Sequence, residues 1–149
     1  MKKYLLDTNI VIGLWRKYQY VMDKLIQDKK IKILKEVCEE LVVKERRQFR
    51  GQQVLSERFC KLLLFDMEVD RKNISEFYSL LDIKYSKRGN TYFDKNKLSE
   101  NDLLLLYSCY FDDDLILVTE DKYLLNAAKV VLGEDKVLSL IMLVDSIKL

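Results

Sequence analysis

Short apolar, β-prone runs alternate with amphipathic helical patterns along this sequence, and that alternation most constrains its fold. Tyr4–Leu6 reads as a short buried strand, Ile31–Leu34 as a second, Phe65–Val69 as a third and Leu115–Val118 as a fourth. Lys136–Met142 has the character of a last strand. Between them, a helix is predicted over Ile10–Gln27, with Leu14, Tyr18, Val21 and Leu25 on one stripe. Another starts near Lys35 or Glu36, with Val37, Leu41 and Lys44 in line, and a third covers Val54–Leu64. Ile74–Leu81 and Ser99–Tyr110 are helical. A last helix runs to about Val131, with Gly133 suited to the position just past its end. Strands alternating with helices argue for a parallel sheet. Right-handed crossovers then place the carboxyl ends of the strands along one edge. The expected fold is α/β, a central parallel sheet flanked by helices, in a single domain over residues 1–149.

No proline occurs, and only four glycines, which favours helices with few hard breaks. No apolar run approaches the ~20 residues that span a bilayer. The N-terminus has two lysines but no small-residue cleavage site, so a secretory leader is not expected. The scattered Cys38, Cys60 and Cys109 fit reduced core thiols in a cytoplasmic protein better than a disulfide framework or a zinc site. The chain has no histidine, which excludes imidazole catalysis and His-bound zinc. Carboxylates, lysines, hydroxyls or a metal ion must carry any chemistry, and a hard divalent cation suits oxygen ligands. Charge is uneven: residues 1–66 hold 15 Lys and Arg against 9 Asp and Glu, whereas residues 67–149 hold 11 against 15. A basic half can bind phosphate backbones and an acidic half can hold metals, beside the plainer role of solvated surface.

The first strand runs straight into a carboxylate, in Leu5-Leu6-Asp7-Thr8-Asn9. An acid at the carboxyl end of a buried strand lies where open α/β folds place ligands. Equally, Asp7 or Thr8 can cap the helix that follows. Asp121 lies three residues beyond Leu115–Val118, on the same edge, and has the same two readings. Glu40 sits about one turn inside its helix beside the apolar stripe, where periodicity alone makes it a surface glutamate. Asp102 follows Ser99 at capping-box spacing and opens a continuously apolar helix. Together the four acids carry about −4, which one or two divalent cations offset. Such cations activate water and steady the leaving oxygen of a phosphodiester.

The ordered set resembles the PIN-domain nucleases. Leu5-Leu6-Asp7-Thr8-Asn9 is similar to the family's opening strand motif, and Val37-Cys38-Glu39-Glu40-Leu41 to its second acidic motif. Asn101-Asp102-Leu103-Leu104 resembles the third, and Val118-Thr119-Glu120-Asp121 the fourth. The likeness implies a PIN-like α/β/α sandwich and an Mg2+- or Mn2+-dependent endoribonuclease. It carries over Asp7, Glu40, Asp102 and Asp121 as catalytic, metal-binding acids. Asn9 and Thr119 carry over as supporting residues that orient a carboxylate or water. Many small bacterial members are toxins of toxin–antitoxin pairs, often dimeric, so an antitoxin partner and a homodimer are implied as well. The chain departs from the family after Asp102, where Leu103–Leu106 and Tyr107 replace the usual small residues.

For RNA, Arg46, Arg47 and Arg50 are candidate backbone contacts. The basic, aromatic stretch Lys84–Lys97 has no clear period and reads as a long loop. Within it Lys87 and Arg88 are further candidates, and Tyr85, Tyr92 or Phe93 offer faces for base stacking, loop packing being their plainer role. Two rival functions stay open. A haloacid-dehalogenase-type phosphatase needs a second aspartate where this chain has Asn9. A PIN-like fold can also serve as a non-catalytic module that binds RNA or protein.

Overall fold

Leu5, Leu6, Ile31, Ile33, Leu34, Leu117 and Val118 are excluded from solvent, and they form the centre of a parallel sheet. The structure is a computed structural model that describes residues 2–45, 47–49, 52–54, 57–87 and 98–147. For residues 45, 47–49, 52–54 and 82–87 it describes the backbone alone. The main sheet contains β1 (Lys3–Leu6), β2 (Ile31–Leu34), β5 (Asp66–Met67), β6 (Leu115–Val118) and β7 (Val137–Leu138), in the order β5-β2-β1-β6-β7. Every pairing in it is parallel. β3 (Arg47–Phe49) and β4 (Gln52–Val54) form a separate antiparallel hairpin.

The helices are α1 (Thr8–Lys17), α2 (Gln19–Gln27), α3 (Lys35–Glu45), α4 (Glu57–Leu62), α5 (Ile74–Lys87), α6 (Glu100–Phe111), α7 (Lys122–Val131) and α8 (Leu140–Ser146). Their main contacts with one another fall in two groups. In one, α1 meets α2 and α3, and α3 meets α4; in the other, α5 and α6 meet α7. The α/β architecture with a parallel sheet flanked by helices is the one expected. Burial is two-sided for β1, β2 and β6, which explains their near-continuous apolar sequences. α6 is buried from Leu104 through Cys109, as its unbroken apolar run anticipates. Among the described residues no helix is long and apolar enough to cross a membrane.

Four local expectations change. The helix expected over Ile10–Gln27 is two helices. Tyr18 leaves the helical region at φ −134°, donates back to Leu14 O and accepts from Val21 N, a break that no glycine or proline announces. Val54 belongs to the β3–β4 hairpin, so the third helix starts later, at Glu57, and ends in a 3-10 turn over Leu63–Phe65. α5 continues through Lys87, so residues 84–87 are helical and not loop, while 88–97 lie outside the described residues. The last strand stops at Leu138. Ser139 then caps α8 by accepting from Met142 N, so Ile141 and Met142 are helical. A short apolar run fits strand or helix equally by periodicity, and the cap decides. After α7, Gly133 takes φ +98°, a value that side chains rarely adopt.

Candidate active site

The chain runs β1 to β2 to β5 in one direction across the sheet, then returns to the other side of β1 for β6 and β7. The direction reverses between β1 and β6, and open α/β sheets bind ligands in the crevice outside the carboxyl ends of such strands. Leu6 pairs with Val118 as the last residues of these two strands. Asp7 and Thr119 are therefore the first residues past the sheet on either side of the crevice.

Asp7 caps α1. Its Oδ1 accepts from Thr8 N at 2.7 Å, and its Oδ2 accepts from Thr119 Oγ1 at 3.0 Å. Thr119 is fully buried, and its hydroxyl also accepts from Asp121 N at 3.1 Å. Asp121 in turn caps α7, its Oδ1 accepting from Leu124 N at 2.9 Å. Asp102 forms a capping box with Ser99, each side chain meeting the other's backbone N–H. The capping roles read from the sequence are thus real. They also bring the N-termini of α1 and α7 to the crevice.

Glu40 reaches the same place from α3. Thr8 Oγ1 donates to one of its carboxylate oxygens and Asn101 Nδ2 to the other. These contacts span 32 and 61 residues of sequence and tie α3 to the first turns of α1 and α6. Thr8 and Asn101 stand inside the quoted motifs, but no spacing rule marks them as partners of Glu40. Asn9, expected to support the acids, is exposed on the first turn of α1, and Thr8 beside it bonds Glu40.

Asp7 and Asp102 respond to the acids around them. Burial pushes the Asp7 carboxyl above its ordinary value of 3.8, against the bonds from Thr8 and Thr119, and the charges of Glu40 and Asp121 push it further. Burial likewise raises Asp102, opposed by its bonds to Ser99 and reinforced by Asp7 and Asp121. Asp7 is thereby coupled to all three other acids. Beside Glu40 opens a pocket of about 440 Å³ whose wall includes Asn101, Glu36 and Arg71.

The expected RNA contacts are placed less fully. Arg47 lies in β3 and Lys87 at the end of α5, both with backbone alone described. Arg46, Arg50, Arg88 and Tyr92 lie outside the described residues.

No family model matches the sequence, and no curated protein matches it. Among solved structures, the chain is similar to the crystal structure of PAE2754 from Pyrobaculum aerophilum. The match has a TM-score of 0.57 at 23% identity and covers 97% of this chain and 94% of that one. At that identity the likeness shows the fold alone.

Mg2+ or Mn2+ suits this donor set, which is all oxygen and anionic. A carboxyl that burial, and then its neighbouring carboxylates, raise above its ordinary value is also one that a cation would relieve. Among the described residues, however, no three acids or thiols are gathered closely enough to hold a metal ion. The acids share a crevice without forming a closed ligand shell.

Proposed function

We propose that this chain is a divalent-cation-dependent endoribonuclease that hydrolyses RNA phosphodiester bonds. The observation that carries this reading is the approach of Asp7, Glu40, Asp102 and Asp121, from four separate segments, to the switch-point crevice. Mg2+ or Mn2+, when bound there, supplies an activated water and neutralises charge on the phosphate. The residues do the positioning. Thr8 N and Thr119 fix the two oxygens of Asp7, and Thr8 Oγ1 and Asn101 fix those of Glu40. A carboxylate has about four lone-pair sites, so each acid keeps acceptor capacity after these bonds. The helix N-termini at Asp7 and Asp121 add partial positive charge where a phosphate would lie.

By the resemblance alone, the proposal extends to a cytoplasmic toxin with an antitoxin partner, acting as a homodimer. The rival, a non-catalytic binding module, draws on the absence of a gathered three-acid group among the described residues. Two measurements separate them. Asp7→Asn, with its circular dichroism unchanged, should lose at least a hundredfold of Mg2+- or Mn2+-dependent cleavage of single-stranded RNA; undiminished cleavage sinks the enzyme. Titration with either metal should raise the melting temperature by linkage, the stabilisation reaching about 2.7 kcal/mol at a hundred times Kd. No shift at millimolar metal favours the binding module.

A further inference from the structure

The pocket beside Glu40 is lined by Glu36, Glu39, Glu40 and Glu100, and among its described lining residues Arg71 is the single cation. Arg71 stands at the start of the turn into α5, half exposed. Its Nη2 donates to Glu36 Oε1 at 3.0 Å, and its Nη1 lies 3.9 Å from Glu100 Oε1, beyond hydrogen-bond range. Glu36 is the more buried partner, 21% exposed, and its Oε2 is buried with no hydrogen-bond partner among the described residues. Glu36 therefore holds the guanidinium by one corner. The pair with Glu100, itself 77% exposed, is a surface contact worth about 0–1 kcal/mol. A guanidinium has five N–H donors in a planar fork that matches a phosphate. Arg71 thus retains donors that its carboxylate neighbours do not use.

A polyanion approaching four glutamates is repelled unless a cation receives it. We infer that Arg71 binds a backbone phosphate flanking the cleaved bond, and that the substrate is accordingly a strand with at least one phosphate beyond the one attacked. This rests on the ribonuclease reading. Arg71 is absent from the four motifs and lies 31 positions from Glu40, and the shared pocket and the bond to Glu36 on α3 associate them. A one-corner anchor on Glu36 holds the guanidinium in the wall of the pocket that Glu40 also lines, and leaves donors for the phosphate.

The test uses the full chain and a fluorescent, mixed-sequence single-stranded RNA with 2′-O-methyl sugars, followed by anisotropy across a salt series. Arg71→Ala should weaken binding roughly tenfold, the loss of a charged hydrogen bond. It should also flatten the slope of log affinity against log salt by about one. Arg71→Lys keeps the charge and should restore the slope but not the full affinity. In competition, the wild type should prefer a dinucleoside monophosphate extended by a nucleotide on either side over the unextended compound; Arg71→Ala should lose that preference. Melting temperatures confirm that both variants fold. If the wild type cleaves RNA while Arg71→Ala keeps its affinity, slope and preference, the inference alone is overturned. If the wild type neither binds nor cleaves RNA, the ribonuclease reading falls and takes the inference with it.

Discussion

Thr119 and Asp7 lock the ends of β6 and β1 together, the buried hydroxyl donating to Asp7 Oδ2 at 3.0 Å while it accepts from Asp121 N. Thr119→Val keeps the shape and removes both bonds. It should cost about 1–3 kcal/mol in urea unfolding, since a buried carboxylate oxygen and an N–H lose their partner. Thr119→Ser should recover most of it. A valine variant as stable as wild type would mean that this hydroxyl links nothing.

Asp7 should show a stability cost that depends on pH. Its folded value lies above the ordinary 3.8, so its stabilising contribution is complete below that value and is lost as pH rises through the folded value. Asn can serve as the α1 cap without the charge. The melting temperature of Asp7→Asn should therefore match the wild type near pH 3 and exceed it progressively toward neutrality. A difference that shrinks as pH rises would contradict the assigned burial.

Lys136 closes the other end of α6. Its Nζ donates to Cys109 O at 2.6 Å and to Asp112 O at 3.1 Å, placing a cation on the carbonyls of a helix C-terminus. Lys136→Met keeps the apolar stem and should lose about 1–2 kcal/mol in denaturant unfolding. Unchanged stability would show that solvent serves those carbonyls equally well.

Thiol reactivity should divide one against two. Cys60 is exposed, whereas burial pushes Cys38 up to about 11 and Cys109 up to about 12. An aromatic disulfide reagent at pH 8 should titrate one thiol quickly in the native protein and the rest after denaturation. Cys60→Ser should remove the fast phase; its persistence would place the reactive thiol elsewhere. Two of the three cysteines are thus the core thiols that the sequence suggested, and Cys60 is a surface one.

What could be foreseen follows the range of the interactions. β1, β2 and β6 were legible because each is a short, largely buried and mostly apolar run. Asp7, Asp102 and Asp121 were legible because each sits at a strand end or a capping spacing. The break at Tyr18 was not, because no glycine, proline or side-chain cap marks it. The hairpin at Arg47–Val54 was not, because its polar strands lack the alternation that a buried face imposes. Glu40 was legible only through the resemblance, since its partners Thr8 and Asn101 come to it from distant segments. Arg71 carried no local signal at all.

The outermost strands of the main sheet, β5 and β7, are two residues each. An edge that short exposes too few free N–H and C=O groups to template another chain. At the two edges of the main sheet, that brevity therefore guards against growth by strand addition. Copies of this chain that meet along the main sheet therefore find helices, and not an open strand, flanking it.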